Sequence, residues 1–179
     1  MKFREVAIFN GDVYQVPQCV QRIDTRATHG WQLRYGGTKL FSDHSPDGSG
    51  ASEALEKATR ELLKRIASLP APSLLQRGPS QNKGNDLPVG ISGPVVRQRT
   101  KSKVRDCSLS VLIPRFGQTP QRRSIYIGTE NTYTVERFDA ALARAVALRS
   151  AAEEAYEKAA TRHKRAQARA LKAAMKKAS

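Results

Sequence analysis

Between Arg97 and Arg105 every odd position is basic: Arg97, Arg99, Lys101, Lys103 and Arg105, with Gln98, Thr100, Ser102 and Val104 between them. In an extended strand, residues two apart project to the same side. A single strand from Val96 to Arg105 therefore predicts a comb of five cations on one face of a sheet. Like charges in a row repel unless an anion lies opposite, and the phosphate backbone of a nucleic acid is the leading candidate. The competing reading is a basic loop or a solvated edge strand, since cations on a strand also block edge pairing. Arginine can bind guanine bidentately, so Arg97 and Arg99 are the expected base readers. Lys101 and Lys103 suit phosphates. Arg115, Arg122 and Arg123 extend the patch or belong to a solvated turn.

Catalytic chemistry finds little support in the residue spacing. His29, His44 and His163 are scattered, and no His/Cys/Asp cluster has metal-ligand spacing. No Gly-rich phosphate loop precedes a helix. His44 near Asp43 and Asp47 is the local acid–base cluster, and it falls in a turn-rich loop where solvated polar residues are ordinary. The expectation is a protein that is not an enzyme, with no catalytic residue, metal or cofactor.

The composition agrees with a binding role. In 179 residues, 31 Lys and Arg oppose 16 Asp and Glu, giving a formal net charge of +15. A balance that far from neutral concerns partners, with nucleic acid ahead of an anionic membrane surface. No apolar run is long enough to span a bilayer, and the first residues lack the apolar stretch of a signal peptide. Cys19 and Cys107 lie far apart and are read as free thiols in a reducing cytoplasmic interior, with nucleoid association following from the charge. The mean hydropathy of -0.54 suits a polar globular protein with a modest core.

The elements that must position these residues follow from pattern. Residues 3–9 and 13–16 predict a hairpin across Asn10-Gly11, whose residues tolerate positive φ. Pro17 interrupts the second strand, and 19–23 resumes as an edge. Trp31, Leu33 and Tyr35 alternate onto one face of a strand, and Lys39-Leu40-Phe41 forms the next. A helix then runs to Leu69, with Ser52 as N-cap and Leu55, Ala58, Leu62, Ile66 and Leu69 as its apolar stripe. Pro, Ser, Gly, Gln and Asn dominate from 70 to 87, which reads as a flexible linker. Cys107, Leu109, Val111 and Ile113 alternate on a half-buried strand. On the strand from Arg122 to Gly128, Ile125 and Ile127 face the core and Ser124 and Tyr126 face away. Thr132 or Thr134 caps a last helix whose stripe is Val135, Phe138, Leu142, Ala145 and Arg149, beside Val146. Free of Gly and Pro to Ser179, that helix is expected to run far past the sheet. Its end is basic, through Arg162, Lys164, Arg165, Arg169, Lys172, Lys176 and Lys177, and its Ala-rich face from Ala141 to Ala160 can pair with a second copy to make a homodimer.

Both halves thus run strands, then one helix. Trp31 to Tyr35 aligns with Cys107 to Val111, Lys39-Leu40-Phe41 with Ser124-Ile125-Tyr126, and the two helical stripes with each other, as divergent copies of one unit. The expected fold is α+β: two tandem units, each a three-stranded antiparallel sheet packed on one helix, with a long basic C-terminal helix. The expected domains are a module at 1–69, a linker at 70–87, a second module at 88–150 and a helical extension at 151–179.

The second module resembles the Apetala-two / ethylene-response-factor DNA-binding domain, which also occurs in phage and mobile-element proteins. The resemblance covers about residues 87–149 and rests on Val96-Arg97-Gln98-Arg99, the alternation from Leu109 to Ile113, and Tyr126-Ile127-Gly128-Thr129. It implies a three-stranded sheet whose outer face enters the major groove of double-stranded DNA. Arg97 and Arg99 would then touch bases or phosphates. Tyr126 stands where the family usually has a DNA-contacting Trp, and Ser110 where it often has a polar or acidic residue. The chain departs from the family in lacking a Trp after the first strand, in Cys107 at a usual aromatic position, and in Glu130 following Gly128-Thr129. The expected DNA-binding set is Arg97, Arg99, Lys101, Lys103, Arg105, Ser110, Arg122, Ser124 and Tyr126. A second set, in the first module, is Arg22, Arg26, Arg34 and Lys39. By analogy the role is transcriptional regulation or a mobile-element function in a bacterium or phage. An RNA- or ribosome-associated binder, and a basic adaptor or inhibitor docking on an acidic protein, are the alternatives.

Overall fold

A computed structural model describes all residues except Ser80, Asn82, Arg99, Thr100, Lys101, Ser102 and Ser179, together with the side chains of Lys177 and Ala178. The chain is α+β, in the order β1 (Phe3–Ala7), β2 (Val13–Pro17), β3 (Val20–Asp24), β4 (His29–Arg34), β5 (Thr38–Ser42), α1 (Ala51–Ser68), β6 (Ile91–Gln98), β7 (Arg105–Ile113), β8 (Gln121–Thr129) and α2 (Val135–Ala178). The strands form three antiparallel sheets: β1-β2, β3-β4-β5 and β6-β7-β8. Two compact units result, one of Met1–Pro72 with Thr161–Ser179, the other of Ser73–Ala160. These units cut the chain differently from the boundaries read in the sequence: residues 73–87 group with the second sheet, and 151–179 is divided between the two. Among the described residues, 70–90 hold no helix or strand.

In the first unit the alternation on β4 sets the core. Trp31, Leu33 and Tyr35 are buried against α1, whose inward residues are Ala51, Ala54, Ala58, Leu62 and Ile66. Burial of these side chains is the main driving force here. The indole of Trp31 donates to the Ala51 carbonyl at 2.8 Å, so its one polar atom is satisfied inside the core. The Arg65 guanidinium donates to the carbonyls of Tyr35 and Gly37, tying the β4–β5 turn to the helix. Two details differ from the sequence reading. Helix α1 starts at Ala51 with Gly50, not Ser52, at its cap. A Cβ at Gly50 would lie 1.9 Å from the Asp43 carbonyl oxygen, so only glycine lets the chain enter the helix there. The β1-β2 hairpin also adds a second sheet, from which Val16 and Pro17 reach the core.

An ion-pair network closes one edge of this core. Arg22 lies opposite Trp31 in the β3–β4 ladder and places its guanidinium 5.0 Å from the indole ring centre. It forks onto both carboxylate oxygens of Asp43, at 3.0 and 2.6 Å, and its Nε donates to Asp24 at 3.0 Å. Burial alone would raise the Asp24 pKa, but hydrogen bonds from Arg22 and His29 hold it below its ordinary value. A carboxyl whose folded pKa lies below its unfolded value of about 3.9 stabilises the fold above that pH and loses this contribution as pH falls through the folded value. Acid unfolding followed by circular dichroism should therefore show stability declining below about pH 4, with a shallower decline in Asp24→Asn.

In the second unit Cys107, Leu109, Val111 and Ile127 turn inward onto Ala141 and Ala145 of α2, with Ile125, Phe138 and Leu142 half-buried beside them. Burial pushes the Cys107 thiol pKa up. The Thr134 hydroxyl accepts the Arg137 N–H at 3.2 Å, which decides the cap in favour of Thr134 over Thr132. Val135 is 65% exposed, so the stripe begins a turn later than expected. Arg149, placed on that stripe by the sequence, is indeed buried. Its guanidinium donates to the Leu112 carbonyl and to Glu153. Gly90, at φ +78°, leaves the space this side chain fills, since a Cβ there would meet Arg149 at 2.6 Å. The Ala-rich face read as a dimer seam starts inside this core, because Ala141 and Ala145 have no exposed surface.

The two three-stranded sheets match at their central strands: positions 31, 33 and 35 and positions 107, 109 and 111 all face a helix. The third strands do not align as expected. Leu33 pairs with Lys39 and Leu109 with Ile125, so Lys39, not Leu40, corresponds to Ile125. Leu40 sits on the opposite face at 42% exposure, which a one-residue slip in a strand requires.

Candidate nucleic-acid interface

The β6–β7 register decides how much of the cationic comb exists. Val96 pairs with Cys107, Arg97 with Asp106 and Gln98 with Arg105. Gln98 is therefore the last described residue of the strand, and a single strand through Arg105 is ruled out because Arg105 already belongs to its partner. The cause is the burial of Cys107, Leu109 and Val111, which fixes the side of β7 that faces the helix and so the register of β6 against it. Lys103 is exposed in the connection. Arg99 and Lys101 lie outside the described residues.

Arg105 has a different occupation. Its Nε donates to Glu130 Oε2 at 2.9 Å, and its backbone N–H bonds Glu130 Oε1 at 3.3 Å. These two bonds hold the Glu130 carboxyl below the usual carboxylate range. Arg105 is also on the parity of Cys107 rather than that of Ser108 and Ser110, so it does not share the outer face of β7 with them. Glu130, which follows Gly128-Thr129, is its partner in a surface ion pair in which the Arg105 side chain stays 61% exposed.

What remains is a polar face with cations at its two ends. Outward on β7 stand Asp106, Ser108, Ser110 and Leu112, and opposite the last three on β8 stand Tyr126, Ser124 and Arg122. Arg97 continues the same face on β6, beside Asp106. Arg97, Arg122 and Ser124 are exposed, and Tyr126 is 48% exposed. From Asp106 to Leu112 the face runs about 20 Å, at roughly 3.3 Å per residue. Tyr126, Ser124, Ser108 and Ser110 lie between the two arginines.

The helix fixes this face from behind. Ile125 and Ile127 are packed inward, and the Arg144 guanidinium donates to the Tyr126 carbonyl at 3.1 Å. Arg144 was not singled out in the sequence, and its place within a helical run of arginines carried no signal of that bond. Arg115 turns back on its own loop, donating through Nε and Nη2 to the Thr119 carbonyl. Arg123 is exposed next to Arg122, on the alternate parity opposite Val111.

Searches against family models, curated proteins and solved structures return no match to this chain. Among the described residues, no helix is long and apolar enough to cross a membrane, and no three His, Cys, Asp or Glu side chains converge as a metal set.

The four cations expected as a second contact set do not gather. Arg22 is buried in the network with Asp43 and Asp24, its side chain 6% exposed. Asp43, which takes the fork of the guanidinium, lies 21 residues away in the sequence, so no local pattern marks Arg22 as an internal partner. Arg26 is exposed in the β3–β4 turn. Arg34 projects from the outer face and bonds Gln32. Lys39 belongs to the opposite parity, with its ammonium 5.1 Å from the Phe41 ring centre.

Proposed function

We propose that the protein binds double-stranded DNA through the outer face of β6–β8, and acts in transcriptional regulation or as a mobile-element factor. The observation that carries this reading is the exposed row Arg122, Ser124 and Tyr126 with Arg97 at the far end. A major groove is about 12 Å wide, so a face of about 20 Å reaches both phosphate walls when its middle lies over the bases. Arg97 and Arg122 then neutralise phosphates or reach guanine edges at the rims. Ser110 and Ser124 offer donors and acceptors to bases, and Tyr126 presents a ring to a thymine methyl or a sugar. The strands of this face are already paired and packed on α2, which lowers the entropic cost of binding through them.

Selection of bound duplexes from a random pool, followed by titration of the preferred duplex at several salt concentrations, tests this reading. The expected result is an enriched sequence, with log affinity falling linearly in log salt by about 0.9 for each phosphate neutralised. Equal retention of all duplexes, or tighter binding of hairpin RNA than of duplex, would refute major-groove reading.

A further inference from the structure

Within the first unit, the last turns of α2 lie against α1 and leave a groove of about 850 Å³ between them. Leu63, Ile66, Ala67, Ala168 and Met175 line its floor. The cations Arg60, Lys64, Arg165, Arg169, Lys172 and Lys176 line its walls. The groove covers residues 56–67 of one helix and 165–176 of the other, about 18 Å or three turns of each. Arg165, Arg169, Lys172 and Lys176 recur at helical spacing, so they form one cationic ridge along the whole trough. Like charges so placed destabilise a helix. None of the four makes an ion pair with a described residue, whereas Arg60 is paired with Glu56.

We infer that this groove docks an acidic amphipathic helix of a partner protein, making a three-helix layer. The floor offers apolar surface for anchors at i, i+3, i+4 and i+7, and the walls offer cations to the flanking carboxylates. Met175 supplies the adaptable surface that helix-binding grooves commonly use. A second copy of this chain is a poor occupant, because the net charge of +15 sets like against like. Duplex or single-stranded nucleic acid gains nothing from an aliphatic floor, and no aromatic side chain lines the groove for base stacking. A lipid headgroup would call for cations at one mouth, but here they run the length of the α2 wall, facing Lys64 and the Arg60–Glu56 pair on α1.

The test uses the full chain and a fluorescein-labelled designed peptide with Leu at every heptad a and d position and Glu elsewhere. A scrambled peptide of the same composition, with no apolar face, is the control. By anisotropy the amphipathic peptide should bind at least about tenfold tighter than the scrambled one, and Arg169→Glu with Lys172→Glu should abolish that margin. These residues are exposed, and unchanged circular dichroism confirms that the variant folds. Equal affinity for both peptides, or an unaltered margin in the variant, overturns the inference. So does displacement of the peptide by phosphatidylglycerol vesicles or by duplex DNA that the same variant no longer binds, which would assign the groove to lipid or nucleic acid. Because the sheet of the second unit is untouched in this variant, failure here leaves the duplex-binding reading to its own test.

Discussion

Reversing both arginines at the ends of the sheet face, Arg97→Glu with Arg122→Glu, should lower duplex affinity by about 100-fold or more. Each arginine contact to a base or phosphate is worth about 1–3 kcal/mol, and reversal adds repulsion to the loss. Both side chains are exposed, so folding should be unaffected. The informative companion is Arg105→Ala. In the sequence Arg105 is one tooth of the same comb, but its guanidinium is held by Glu130 on the other parity of β7. It should change affinity far less than either reversal alone. Fluorescence anisotropy at fixed ionic strength measures all of these. If the double reversal binds duplex as the parent does, the face is not the interface.

The largest effect on stability is expected at Asp43. Its side chain has no exposed surface and is bonded bidentately by Arg22. Asp43→Ala leaves a guanidinium that is 6% exposed with half its partners gone, and removing one member of a buried pair costs about 3–5 kcal/mol. Replacing both members, as Arg22→Leu with Asp43→Leu, should recover much of that loss, since an apolar pair of similar volume carries no uncompensated charge. Urea denaturation of Arg22→Leu, Asp43→Leu and the double gives the coupling directly. Additive losses would mean that the pair contributes little as a pair. The same pair explains why Arg22 cannot serve a nucleic acid: releasing it to solvent would strand Asp43 in the core.

Much of the fold was legible because local patterns carried it. Trp31, Leu33 and Tyr35, and later Leu109 and Val111, alternate with a period of two, and burial selects that face. Asn10-Gly11 marked the first hairpin, and Gly11 takes a φ of +95° there. The absence of Gly and Pro after Val135 foretold a helix that runs 44 residues. The outward placement of Ser124 and Tyr126 followed from Ile125 and Ile127 in the same way.

The remainder depended on pairings between distant residues. The alternation from Arg97 to Arg105 is real in the sequence, but periodicity within one stretch cannot show where a strand ends. That was decided by the inward packing of Cys107, Leu109 and Val111, which set Gln98 opposite Arg105 and put the two ends of the comb on neighbouring strands. The register of Lys39 against Leu33 and the capture of Arg22 by Asp43 are likewise long-range events. By itself the sequence determined the sign of the charge, the element types and the buried face of the two central strands, because these depend on residues a few positions apart. The tertiary structure decided which cations stay exposed, because an arginine's partner is whichever carboxylate the packed core brings within hydrogen-bonding distance.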